Sequence, residues 1–263
     1  MLRPRISPCL LVHKGGLVKT KQFASPTYVG DPINAVKIFN EKEADELIVL
    51  DIDATRDRVE PNFRLIAQFA VECRMPLCYG GGIKTVEHAK RITGLGVEKV
   101  AISSAAVENP ALVPAIAEAI GSQSVVVVLD VKQGGGYDVW THNGSRRVGQ
   151  SAEAAAAAME QRGAGEIVVN SIDRDGLMKG YDLALAARMR AATRLPLTML
   201  GGAGSLADIG AVIRTCGVIG ASAGSLFVFK GAYRAVLINY PAQAQKDEII
   251  RSALQPAGDR VVS

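Results

Sequence analysis

The sequence predicts an α/β chain folded as a single (β/α)8 (TIM) barrel built from two duplicated half-barrels. Three observations carry that prediction. Short, mostly β-branched runs alternate with amphipathic or Ala-rich runs along the 263 residues, as repeated β/α units do. Eight such units fit in a length that barrels of this class commonly occupy. Segments of the first half also recur in the second, in the same order. A doubly wound sheet is the competing architecture, but no GxGxxG follows the first strand-like run.

The candidate strands are Ile6–Val12, Glu46–Leu50, Pro76–Tyr79, Lys99–Ser103, Ser124–Asp130, Glu166–Asn170, Leu195–Leu200 and Val218–Ala221. Gly, Asp or Ser follows most of them, as expected where strands run into turns. The candidate helices are Pro32–Glu43, Asn62–Cys73, Thr85–Thr93, Pro110–Ile120, Ser151–Arg162, Asp182–Ala192, Ser205–Thr215 and Tyr233–Asn239. The barrel is expected over residues 1–240, with half-barrels of about 1–120 and 121–240. Residues 241–263 lack matching apolar periodicity and are expected to form a peripheral C-terminal tail. Val131–Gly149 reads as an insertion after the fifth strand, with "THNG" as a hairpin tip. Its Trp140, Arg146 and Arg147 would cover a ligand or face a partner, and a surface hairpin is the simpler reading.

The formal charge of +4 is modest, and Lys and Arg are scattered. That argues against nucleic-acid binding and leaves room for a phosphorylated or carboxylated small molecule. Cys9, Cys73, Cys78 and Cys216 form no CxxC pair and no zinc-ligand spacing. They read as buried, reduced thiols of a cytoplasmic protein. No metal or cofactor is expected. The apolar run in "MLRPRISPCLLV" is too short to span a bilayer and has no small-residue cleavage site, so neither a signal nor a membrane segment is expected.

The repeat is specific. "DELIVLDIDATRD" resembles "GEIVVNSIDRDG", "MPLCYGGGIKTVEHA" resembles "LPLTMLGGAGSLADI", and "GVEKVAISSAAV" resembles "GVIGASAGSLFV". Gly81 pairs with Gly202 and Gly96 with Gly217, each 121 positions apart. Generic barrel periodicity would recur at every unit, not at every fourth.

Three repeated features carry chemistry. "GGGI" (Gly80–Ile83) and "GGAG" (Gly201–Gly204) let backbone amides approach an anion, with helices following at Thr85 and Ser205. "SSAA" (Ser103–Ala106) and "AGS" (Ala223–Ser225) place small residues and hydroxyls at the next helix start. Two such places related by symmetry predict a ligand with a phosphate at each end. Asp51 and Asp53 end the second strand, and Asp173 and Asp175 follow the sixth, at the C-terminal mouth where barrel active sites lie. These carboxylates could do acid/base work, orient hydroxyls or solvate loops; the loop role is a stronger rival for Asp175, in "RDGL", than for Asp51. Finally, "CLLVHKGG" aligns with "VLDVKQGG", which sets Leu11 opposite Asp130. A symmetric pair of carboxylates could act as general acid and base; here one is missing.

From about Arg3 to Phe229 the chain resembles the cyclase subunit of imidazole glycerol phosphate synthase (HisF). The marking segments are "VGDPINAVKIFNEKEADELIVLDIDA", "GGGIKTVEHAKR", "GVEKVAISSAAVENP", "GAGEIVVNSIDRDG" and "GGAGS". The resemblance implies a duplicated barrel that binds a substrate with two phosphates. It also implies ammonia from a glutaminase subunit (HisH-like) entering at the N-terminal face. The family's two catalytic aspartates fall on Leu11 and Asp130, so only Asp130 is kept. Leu200 stands where Ser is usual, and Ser103 where Asn is usual. Phosphate contacts are implied for Gly81, Gly82, Gly176, Gly201, Gly202, Gly224 and Ser225, beside the hydroxyls of Ser103 and Ser104. The substrate mouth is expected to hold Asp51, Asp173, Asp175, Ser171 and Lys19. Arg5, Glu46, Lys99 and Glu166 match the family's charged ammonia gate, although structural ion pairs would use the same residues. "PCLLVHKGGLVKT", "LCYGGGIK" and "AGSLFVF" are similar to a branch that serves acetamidino sugars of bacterial surface polysaccharide (O-antigen). A separate sugar amidotransferase is the further partner implied there. Histidine-pathway cyclisation, a non-catalytic ammonia conduit and the related phosphoribosyl isomerase barrel are the alternatives. The first and last need acid/base groups on both strands. His13 or Lys14 could stand in for the missing aspartate, but each is offset from the strand position.

Overall fold

The structure is a computed structural model that describes residues 3–231 and 233–255. Its centre is eight parallel strands: β1 Arg5–His13, β2 Leu47–Asp51, β3 Leu77–Gly80, β4 Lys99–Ile102, β5 Val125–Gln133, β6 Glu166–Ser171, β7 Leu197–Leu200 and β8 Gly220–Ala223. Each pairs with the next in chain order. β8 then pairs with β1, Arg5 opposite Gly220, so the sheet closes.

The side-chain period of two sorts each strand between two cores. In β5, Val125, Val127 and Leu129 pack outward against the helices, while Val126 and Val128 fill the barrel interior. In β6, Ile167 and Val169 face outward and Val168 inward. Both faces of these strands are apolar because both are covered, which is why they read as continuous hydrophobic runs.

Seven of the expected helices form: Pro32–Glu41, Phe63–Glu72, Val86–Gly94, Leu112–Ile120, Ala152–Gln161, Leu183–Ala192 and Leu206–Cys216. Six are capped by the side chain just before them: Asp31, Asn62, Thr85, Ser151, Asp182 and Ser205 each accept from a backbone N–H in the first turn. No helix among the described residues is long and apolar enough to cross a membrane.

The expected helix at Tyr233–Asn239 does not form. Gly231 turns the chain at φ +75°, and Phe229–Lys230 pairs antiparallel with Ala235–Val236. The eighth helix is Gln243–Leu254, inside the segment expected to be a peripheral tail. It packs against Leu206–Cys216 and buries Ile250 and Ala253. Its remaining core position is Lys246, fully buried, whose Nζ donates to Asp45 Oδ1 at 2.6 Å and to the Glu43 carbonyl at 3.0 Å. A lysine at a core position hides the apolar period, and this is the physical reason the helix was not anticipated. Residues 256–263 of that expected tail lie outside the described residues.

Two antiparallel hairpins rise from the C-terminal ends of equivalent strands. After β1, Gly16–Lys21 pairs with Ala24–Gly30. After β5, Tyr137–Thr141 pairs with Arg146–Ser151, with its turn at the expected "THNG". His142, Asn143 and Gly144 all take positive φ there.

Candidate functional site

One cavity opens at the C-terminal mouth of the barrel, and most of the site residues expected from the sequence line it. Leu11, Lys19, Asp51, Asp130 and Asp175 are on its wall. So are Gly81, Gly82, Ser103, Ser104, Gly176, Gly201, Gly202, Gly224 and Ser225. Ser171 and Asp173 are not, which corrects their expected place in the mouth. Ser171 has the wrong parity on β6, and its carbonyl backs Gly201 instead. Asp173 is turned to the insertion, where its Oδ2 accepts from the Gln133 N–H at 2.7 Å.

The glycine pair Gly81 and Gly202 is demanded by backbone approach. Their φ values are +130° and +109°. A Cβ at Gly81 would meet the Asp51 carbonyl at 2.6 Å, and one at Gly202 the Gly180 carbonyl at 2.3 Å. In each helix after these turns the cap side chain takes one first-turn amide: Thr85 accepts from the His88 N–H, and Ser205 accepts from the Asp208 N–H in a reciprocal capping box. Two short helices at the mouth, Ser104–Glu108 and Ser225–Val228, start with no side-chain cap on their amides. Ser103 and Gly224, the residues before them, share similar backbone angles: φ −118° and ψ −93°, against φ −101° and ψ −73°. Both ends border the cavity, one on each half of the barrel.

Lys19 stands over the second of these ends. It comes from the β1 hairpin, is buried, and donates through Nζ to the Cys9 carbonyl. A Cβ on Gly224 would lie 2.6 Å from that Nζ, so glycine there makes room for the cation. Burial pulls the Lys19 ammonium below its ordinary value, with Cys9 and Asp175 opposing. Burial likewise pushes the Cys9 thiol up to about 11.

The carboxylates differ in their ties. Asp51 Oδ1 accepts from the Asp53 and Ala54 N–H groups at 3.0 and 3.2 Å, closing the loop after β2. Asp175 Oδ2 accepts from Thr20 Oγ1 at 2.7 Å and the Phe23 N–H at 3.3 Å, fastening the β1 hairpin to the loop after β6. Burial raises both carboxyls above the usual range against those bonds. Asp130 has the weakest ties: Asn170 Nδ2 donates at 3.3 Å and Ser103 Oγ at 3.5 Å. Burial, helped by nearby Asp175, outweighs these bonds and pushes its carboxyl up to about 7. A carboxyl poised there can both give and take a proton near neutrality.

Leu11 sits where a second such group would face Asp130. It registers beside Leu50, and both pack on an apolar interior cluster that includes Leu200. One side of the mouth is thus apolar, the other carries Asp130, Asn170 and Ser103. His13 lies off the cavity, its Nδ1 2.8 Å from Asp53 Oδ1. Sequence reading missed Asn170. The signal was there: Glu166 faces the barrel interior, so Val168 and Asn170 share its face.

The β5 hairpin folds over the mouth. The His142 N–H donates to Ser104 Oγ at 3.0 Å, and Asn143 Nδ2 donates to the Ile52 carbonyl at 2.7 Å on the far side. Gly144 lies against Phe23 of the β1 hairpin and Ile172. Trp140 is half-buried, with Lys132 Nζ 5.2 Å from its ring centre. Arg147 pairs with Asp138, and Arg146 with Glu108.

At the opposite end of the barrel, Arg5, Glu46, Lys99 and Glu166 form a ring of alternating charge. Lys99 Nζ lies 2.6 Å from Glu46 Oε1 and 2.9 Å from Glu166 Oε2; Arg5 lies 2.7 Å from Glu166 and 3.7 Å from Glu46. Thr198 Oγ1 also donates to Glu166 at 2.7 Å. Burial works against the charge on Glu166, but Arg5 and Lys99 hold its carboxyl below the ordinary value. Burial opposes the Lys99 charge too, and the two glutamates hold its ammonium above the ordinary value. Between this ring and the mouth the interior is lined by Cys9, Ile48, Cys78, Ala101, Val126, Val128 and Val168.

Residues 5–234 match a family model described as histidine biosynthesis protein. A Leptospira interrogans protein, provisionally named imidazole glycerol phosphate synthase subunit HisF, is 54% identical over 252 residues, covering 95% of this chain and 99% of that protein. A Pseudomonas aeruginosa protein, provisionally named imidazole glycerol phosphate synthase subunit hisF2, is 55% identical over 244 residues, covering 92% and 97%. An Alkaliphilus metalliredigens protein named imidazole glycerol phosphate synthase subunit HisF is 40% identical over 210 residues, covering 79% and 83%.

Proposed function

This chain belongs to the histidine biosynthesis protein family as a HisF-like subunit of the imidazole glycerol phosphate synthase type, and we propose that it receives ammonia from a glutaminase partner for acetamidino-sugar formation. Leu11 is the observation that carries this reading. It faces the cavity opposite Asp130 and can neither transfer a proton nor accept a hydrogen bond. A positioned acid or base contributes ~10² to 10⁴-fold to a rate, so cyclisation that needs two of them suffers here. The floor ring is intact, as an ammonia entrance requires.

In this reading the glutaminase docks at the N-terminal face, where Arg5, Glu46, Lys99 and Glu166 gate the interior. Ammonia crosses the apolar interior as the neutral molecule, because an ion in a lining of valine, isoleucine and alanine is strongly disfavoured. A phosphorylated ligand occupies the mouth, held by amides and hydroxyls at Ser103–Ser104 and Gly224–Ser225, with Lys19 as counter-charge. A sugar amidotransferase completes the acetamidino group. The greater identity to provisionally named relatives than to the Alkaliphilus protein supports a branch apart from the histidine enzyme. Histidine-pathway cyclisation is the competing reading; the relatives' names favour it and Leu11 opposes it.

The test is isotope transfer. The chain, its glutaminase and the sugar amidotransferase are incubated with amide-¹⁵N glutamine and the N-acetylated sugar. The expected result is ¹⁵N in the acetamidino group, lost when this chain is omitted. Lys99→Met is expected to impair glutamine-driven transfer more than transfer driven by added ammonium. Equal transfer without the chain would overturn the reading.

A further inference from the structure

Asn170 is 6% exposed and lines the mouth cavity. Its Nδ2 donates to Asp130 Oδ1 at 3.3 Å. Its Oδ1 is buried and, among the described residues, accepts no hydrogen bond. An orphaned buried acceptor destabilises the fold unless something donates to it. Gly201 keeps the space before it clear: its φ is +93°, and a Cβ there would stand 3.2 Å from that oxygen. On the same interior face of these two strands the next residues below are Val128 on β5 and Val168 on β6. Asn170 and Asp130 are paired in register on β6 and β5, so they are the first polar groups above those valines on the two strands.

We propose that Asn170 Oδ1 and the Asp130 carboxyl form an acceptor pair that captures the arriving nitrogen as ammonium. The chemistry balances without a further reactant. The ammonia lone pair takes the proton of the neutral Asp130 carboxylic acid; its O–H bond breaks and a fourth N–H bond forms. The resulting ammonium donates one N–H to the Asp130 carboxylate and another to Asn170 Oδ1. Reversal of the step returns free ammonia to the ligand in the mouth. Asp175 and Cys9 are the titratable groups coupled to Asp130, and Lys19 stands beside both. Asn170 is a specificity-determining residue in this account, since its carbonyl selects a nitrogen that carries hydrogen. The proposal rests on the reading that ammonia reaches this mouth.

The test follows the Asp130 carboxyl by ¹³C NMR in the full-length chain, with Asp130→Asn assigning its signal. Ammonium chloride is compared with tetramethylammonium chloride at equal ionic strength. Ammonium is expected to lower the Asp130 midpoint by about one pH unit, as an adjacent opposite charge does; tetramethylammonium, which has no N–H, leaves it in place. Asn170→Leu is expected to abolish the difference between the salts. Equal shifts in both salts, or a salt-specific shift that survives in Asn170→Leu, would overturn the proposal. If Asn170→Leu does not fold, the comparison in the parent chain decides alone. A third salt, acetamidinium chloride, separates cargo from product: a shift with acetamidinium but none with ammonium would overturn the assignment to ammonia. A failed titration with intact ¹⁵N transfer removes the acceptor pair only, and an intact titration with failed transfer removes the partner reading only.

Discussion

Burial pushes the Asp130 carboxyl up to about 7, and linkage converts that shift into a stability prediction. Between the ordinary 3.8 and about 7, the unfolded chain has released a proton that the folded chain retains. The stability contributed by this residue is therefore lost as pH rises through that window. Asp130→Asn is expected to melt progressively higher than the parent from about pH 4 to about pH 7, with the gain levelling off above. Thermal melts across pH check it, and a pH-independent difference would contradict it. The residue scale also marks the limit of sequence reading. Asp51 and Asp175 were legible from the acidic feature that both halves carry, and Asp130 because its counterpart in the first half is Leu11. Their different duties were not, because these depend on which hairpin or loop N–H reaches each oxygen. Asn170 needed strand parity as well as residue type.

At the scale of elements, strands were legible because both faces of a closed parallel barrel are covered, leaving unbroken apolar runs. Helices that announced themselves carry their own caps, such as Asp31, Thr85 and Ser205. The C-terminal helix was hidden because Lys246 occupies its core position. Its ammonium satisfies Asp45, whose Oδ2 accepts from the Ile6 N–H at 2.9 Å; the helix is thereby joined to β1. Lys246→Ala removes the buried cation and leaves Asp45 without its partner. The expected cost is about 3 kcal/mol, as for one-sided loss of a buried ion pair. Urea unfolding measures it, and a change below about 0.5 kcal/mol would contradict the joining role. The β1 hairpin was not anticipated either. "KQFA" at its tip lacks the Asn-Gly or Asp-Gly signal, and its closure depends on Asp175 in the other half-barrel.

The whole molecule preserves a two-fold plan and breaks it at chosen places. Both halves supply a glycine turn, an uncapped short helix and a hairpin beside the mouth. The charged ring closes the floor from both halves. Leu11 against Asp130 breaks the plan where the chemistry would be symmetric, and Lys19 over Gly224 adds a cation on one side only. The fold was legible from the repeat and the floor ring from the family resemblance, whereas the apolar side of the mouth emerges from Leu11, Leu50 and Leu200 meeting in space. The central claim is that this barrel has left two-carboxylate cyclisation and works as an ammonia-receiving partner. The most direct test supplies the purified chain with ammonium and the bisphosphorylated histidine-pathway substrate, beside the Alkaliphilus metalliredigens relative. The account predicts cyclisation at least ~10²-fold slower than that relative's. Cyclisation at a comparable rate would contradict it.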